Sequence, residues 1–327
     1  MRKKILIIII LLIAFNLTGC KEQIAKESQI QTRNGIVYYV NETKPFTGRM
    51  IEYYSNGQVL VNIKYKKGKK EGKCYYYYVN GQINAEQNYK NNLLEGRQRE
   101  YYETGQIKEE ENYKKDMQEG ESILYHENGQ ILKKENYKNN KLEGKSIEFS
   151  KNGIKVEEKE YKNGFENGEG ILYHENGQIN EKTVMKNGEA NGKSSTYYKS
   201  GKLEISGYMV DGKPDGKVTG YYENGQIKNK ANYEEGKLNG EYNEYYENGQ
   251  IKIKANYEEG KLNGKYNEYL ENGKFFRSGQ IINDKFSGKV FNYDTNGQIL
   301  FEEEYKDGIS MSAWGENINE EGETESD

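Results

Sequence analysis

The chain has 327 residues, 34% hydrophobic and 31% charged, with a mean hydropathy of −1.09 and a formal charge of −4. Lysine and glutamate are interspersed rather than blocked, which excludes the basic stripe of a nucleic-acid binder and a polybasic membrane patch. The 31 tyrosines argue against disorder, because large rings with strand preference hold a sheet together without a thick aliphatic core.

In chain order, residues 1–20 read MRKKILIIIILLIAFNLTGC, a basic start followed by an apolar run from Ile5 to Phe15. The run is about half of the ~20 residues that span a bilayer, so residues 1–19 read as a secretory leader rather than a membrane helix. Leu17-Thr18-Gly19-Cys20, placed directly after it, resembles the bacterial lipobox. That resemblance implies cleavage before Cys20 and lipid attachment at Cys20. It makes the membrane one partner and gives the address as the cell envelope, at the outer membrane or the outer face of the cytoplasmic membrane. Two or three acyl chains, at ~0.8 kcal/mol per buried methylene, anchor a protein durably where one does not. With Cys20 modified, Cys74 is left alone and no disulfide framework is possible. Residues 20–33 then form the lipidated cysteine and a polar tether, which reaches roughly 40 Å if extended.

Ile36 to Val40 is a short β-rich run, read as a lone second strand that caps the array, since terminal repeats must finish an edge. From Gly48 a 24-residue unit recurs without insertion, clearest as GEYNEYYENGQIKIKANYEEGKLN over 240–263. Opening glycines run from Gly48 to Gly288 and turn glycines from Gly57 to Gly297, which makes 34–309 one repeat array of eleven units. Residues 310–327 hold six acids and no base, the composition of a disordered acidic tail, with Trp314 near its start.

Inside the unit, two β-rich runs flank x-Asn-Gly, a hairpin signal. Four positions before the turn glycine the residue is always aromatic, as at Tyr245; two positions after it stands Val, Ile or Leu in most units, as at Ile251. A two-residue loop would pair Tyr245 with Lys252. A three-residue loop with Gly249 left-handed pairs it with Ile251, and this bulged hairpin is the expectation. Period-two alternation then carries Tyr257 to the same face. A second turn follows, its key column from Gly68 to Gly308 restricted to Gly, Asn and Asp, the residues that tolerate positive φ. Hairpin after hairpin gives an all-β fold, an elongated single-layer antiparallel meander of about 22 strands and roughly 100 Å, with its aromatic and isoleucine ladder on one face.

The unit resembles the MORN repeat, specifically the bacterial variant with the pattern G-K-x-x-x-Y-Y-x-N-G-Q-I. Departures fall at Phe149–Ile154, at Met185 and Met209 in the second aromatic column, and at Ile281. The resemblance implies an interaction scaffold for proteins and, in some settings, lipids. Bacterial members often carry antitoxin-like labels, or a kinase label borrowed from enzymes with a separate kinase domain. No such domain stands beside the array in this sequence.

The search for chemistry gives ordinary readings. Gly144-Lys145-Ser146 and Gly192-Lys193-Ser194 end like a phosphate loop, but Asn139 and Asn187 stand where its first glycine belongs. His126 and His174 share a column two units apart, about 19 Å on a regular sheet and too far for one metal. No catalytic, cofactor-binding or metal residue is expected, and the chain reads as non-enzymatic. One column remains: Tyr54, Tyr78 and Tyr102, then His126, Ser150 and His174, then Tyr198, Tyr222 and Tyr246. Its tyrosines form two strips that read as exposed, and they either anchor a partner or stabilise neighbouring strands. The expected function is a membrane-anchored scaffold binding a protein, or a lipid or glycan, at the envelope. An antitoxin or immunity protein is the alternative, and a lipid kinase the remote one.

Overall fold

The computed structural model describes residues 22–311; the leader, Cys20 and the segment 312–327 with Trp314 lie outside the described residues. Two compact units divide the chain, one ending at Gly105 and one starting at Gln106. From Gly48 on, each is an antiparallel single-layer meander of hairpin repeats in which strands pair in sequence order. Aromatic and β-branched residues alternating between Gly and Asn punctuation make it so.

The repeat opened by Gly240 shows the plan. Tyr245 stands opposite Ile251. Gly249 N–H donates to the Tyr246 carbonyl at 2.9 Å, and Tyr246 N–H to the Gln250 carbonyl at 2.8 Å. Gly249 has φ +83°. This is the expected three-residue loop, and only its glycine is left-handed. The loop survives the departure at Phe149–Ile154, where Ser150 N–H still reaches the Ile154 carbonyl at 2.8 Å.

The expected single ladder is corrected. One pair further from the loop, Glu244 lies opposite Ile253 rather than Lys252, so a second bulge at Lys252-Ile253 inserts one residue and reverses the alternation. Tyr242, Ala255 and Tyr257 therefore gather on one face, the rings of Tyr242 and Tyr257 5.6 Å apart. Tyr245 and Ile251 occupy the other. On that second face Phe275 stacks between Tyr269 and Tyr293 at 4.7 and 5.3 Å. The tightest column lies on the Tyr257 face, two residues after the opening glycine: Met50, Cys74, Gln98, Ser122, Ser146 and Val290 are all buried. Ile281 departs from the aromatic column yet is only 5% exposed, so the array continues through it.

The second turn is a two-residue loop with both residues left-handed, Glu259 at φ +49° and Gly260 at +85°. Expectation held for the Gly/Asn/Asp column; the residue before it, such as Lys67 or Glu259, adopts the same conformation at a cost of about 1–2 kcal/mol. Beyond it the pairing advances by two residues between Leu262 and Asn267, around Gly264. The Asn256 amide fills that irregularity, donating to the Asn263 carbonyl at 3.1 Å. Asn88 and Asn136 do the same for Glu95 and Glu143.

The start of the chain departs from the sequence reading twice. Residues 24–33 are ordered strand and turn rather than tether: β1 (Ile24–Ala25) runs parallel to Arg49–Met50 in β4 (Gly48–Tyr53), after β2 (Ile30–Arg33) and β3 (Ile36–Tyr39) intervene. Ala25 is 1% exposed and joins the core, while Ile24 stays 62% exposed, so one small side chain seats a segment that reads as polar. Nor is β3 a lone strand, because it forms a hairpin with β2. Phe46, 2% exposed, joins Val37 to Met50, Ile63 and Tyr65 beneath it. Gly68 is required there, since a Cβ would lie 2.4 Å from the Ile36 side chain. At the other end Ser310, the first residue of the expected tail, pairs with Tyr305 instead.

Candidate binding surfaces

The hairpins place all Asn-Gly loops of a unit along one rim and all second turns along the other. Each rim is stitched from repeat to repeat. On the Asn-Gly rim the amide of Asn248 donates to the Glu271 carbonyl at 3.3 Å, while its oxygen accepts from Gln250 N–H at 2.9 Å. Asn56, Asn80, Asn128, Asn176 and Asn224 repeat both bonds, each reaching a carbonyl 23 residues on. On the opposite rim the N–H of Gly260 bonds the Leu238 carbonyl at 2.8 Å. Where that position is Asn or Asp the side chain adds a second link, as from Leu262 N–H to Asp284 at 2.7 Å.

The aromatic column belongs to the same stitching. Tyr54, Tyr78, Tyr198 and Tyr222 donate their hydroxyls to the carbonyls of Tyr77, Tyr101, Tyr221 and Tyr245, all at 2.7 Å, and Tyr246 to Tyr269 at 2.8 Å. His126 and His174 substitute an imidazole Nε2–H for the hydroxyl, to Phe149 at 3.0 Å and Tyr197 at 2.8 Å. Burial pushes the phenols of Tyr198, Tyr222 and Tyr246 up. These rings, and that of Tyr102, are half-buried rather than the exposed strips expected. Ser150 instead turns its hydroxyl to its own loop, accepting from Ile154 N–H at 3.2 Å.

The phosphate-loop look-alikes are repeat columns. Lys145 pairs with Glu158 at 2.6 Å, Ser146 is buried, and Ser194 bonds the Thr183 hydroxyl at 2.8 Å. Cys74 is fully buried, and burial raises its thiol. Among the described residues no cluster of three or more His, Cys, Asp or Glu is placed to hold a metal ion. No helix among them is long and apolar enough to cross a membrane.

The sheet faces carry a second recurrent pair of columns. On the Tyr245 face the residue after each opening glycine stands diagonally across the hairpin from the residue fourteen beyond that glycine. In several repeats the two close an ion pair: Lys73–Glu86, Lys145–Glu158, Glu169–Lys182 and Lys289–Glu302, at 2.6 to 2.8 Å. Sequence reasoning missed this column pair, though its charge signs are legible once the repeats are aligned. The same face holds two open hollows of about 350 and 290 Å³ that share Glu241 and Asn243.

Comparison with known proteins matches the family model described as the MORN repeat variant to residues 46–67, 70–91, 94–115, 118–139, 142–163, 166–187, 190–211, 214–235, 238–259 and 287–307. No curated protein sequence matches. Among solved structures, a chain of the TcdB2-TccC3-Cdc42 crystal structure aligns at 12% identity over 81% of this chain and 18% of its own, with TM-score 0.19. A chain of the Photorhabdus luminescens Tc holotoxin pore, TccC3-D651A mutant, aligns at 13% identity over the same shares, also with TM-score 0.19. This chain thus spans under a fifth of the structures it aligns with.

Proposed function

The chain belongs to the MORN repeat variant family, and from that premise we propose that it is a non-enzymatic scaffold that binds a protein partner at the bacterial cell envelope, anchored by lipid on Cys20. The observation that carries the binding role is the division of labour in the repeat. Rim amides, hydroxyls and imidazoles are spent on the next repeat, each on a carbonyl 23 residues on, whereas the residue after each opening glycine varies between Lys, Arg and Glu. Rims engaged in holding repeat to repeat leave the faces as the surface for a partner. The anchor rests on the lipobox resemblance of Leu17-Thr18-Gly19-Cys20.

Crosslinking in intact cells followed by pull-down tests the binding role, and recovery of one dominant protein at near-equal amount is the expected result. Recovery of nothing above an unrelated envelope protein would remove it. A captured toxin whose activity the chain blocks would narrow the scaffold to an immunity protein. Cys20→Ala tests the anchor separately: the variant should leave the membrane fraction, and unchanged fractionation refutes lipid attachment there.

A further inference from the structure

The diagonal ion pair of the Tyr245 face is missing from the repeats opened by Gly192, Gly216, Gly240 and Gly264, although Glu241 stands diagonal to Lys254 with opposite charge. Lys217 stands diagonal to Lys230, and Lys265 to Ser278. Lys217, Lys230, Lys254 and Lys265 form no ion pair among the described residues, unlike their counterparts Lys145, Lys182 and Lys289. Glu241 is the one acid lining the hollows with them. Three of these repeats, those opened by Gly216, Gly240 and Gly264, line the hollows. Tyr245, Ile251, Lys254 and Lys265 line the larger, and Lys217 and Lys230 the smaller. The Lys230 ammonium also lies 5.9 Å from the Tyr245 ring centre.

We infer that this face binds a short carboxylate-rich peptide segment of the partner protein. Four ammonium groups against one carboxylate leave a local positive field in an otherwise acidic chain. Asn243 and Asn267 add amides that both donate and accept, as peptide groups require. Tyr245 and Ile251 give the segment an apolar floor. A long polyanion such as a nucleic acid is disfavoured, because it extends past the patch along a chain whose formal charge as a whole is −4. The inference rests on the scaffold reading and supplies the chemistry of its partner.

The test measures fluorescence anisotropy of a labelled peptide of alternating Glu and Ser with the full chain at low salt. Lys217→Glu together with Ser278→Glu restores opposite charges opposite Lys230 and Lys265, and is expected to weaken binding about tenfold or more. Its thermal midpoint should hold or rise, which separates lost binding from lost folding. Lys289→Glu, outside both hollows, should leave affinity within about twofold. Three results overturn the inference: affinity unmoved by the double variant, equal loss with Lys289→Glu, or an oligothymidylate of matched charge binding as tightly as the peptide. If the peptide fails to bind while crosslinking in cells still yields a partner, this inference falls and the scaffold stands; failure of both removes the scaffold as well.

Discussion

The side chain of Asn248 closes its own loop through Gln250 N–H and ties that loop to Glu271. A net hydrogen bond contributes about 1 kcal/mol, so Asn248→Ala should cost about 1–2 kcal/mol in urea unfolding. Tyr222→Phe, which keeps the ring and removes the 2.7 Å bond to Tyr245, should cost about 1 kcal/mol. A cost near zero for both would mean that the stitching is geometric coincidence. Glu158 supplies a pH test. Lys145 and Lys155 at 2.6 and 2.8 Å hold its carboxyl down at about 2, below an ordinary value of 4.5. Because the folded value is depressed, the contribution is complete above 4.5 and lost as pH falls through about 2. Both lysines are solvated, which limits the effect to about 1 kcal/mol. Glu158→Gln should therefore narrow the stability difference between pH 5 and pH 2.5, and an unchanged difference would discount the pair.

At the scale of the element, the repeat is a unit only because its links span fixed distances of 22 and 23 residues. Deleting 216–239 removes one whole repeat and lets every remaining link reform with the next. Deleting 216–227 removes half and leaves loops facing the wrong rim. The first should retain β-type circular dichroism with a slightly smaller denaturant slope, since less surface is buried; the second should lose cooperative unfolding. The Asn-Gly hairpin was legible in the sequence because its columns are uniform, so the pairing of Tyr245 with Ile251 followed from which residues recur. The bulge at Lys252-Ile253 was not, since neither Lys nor Ile marks a bulge, and it moved Tyr257 to the other face. The aromatic column was legible as a column but not as a set of hydroxyl donors, because the carbonyls it reaches lie 23 residues away. Ordered β1 was hidden for another reason: two apolar residues among polar ones carry no periodicity, and only the core at Phe46 gives Ala25 its place.

For the molecule as a whole, the rims link repeat to repeat, and the proposed scaffold role assigns partner binding to the faces. Exposure alone would predict the reverse, because loop residues such as Glu247 are exposed while Asn243 and Lys252 on the two faces are half-buried. A photoreactive amino acid placed in turn at Asn243, Lys252 and Glu247, followed by irradiation of living cells, separates the two. Partner adducts from Asn243 or Lys252, with none from Glu247, are the predicted result; adducts from Glu247 alone, or from no position, would contradict a scaffold that binds through its faces.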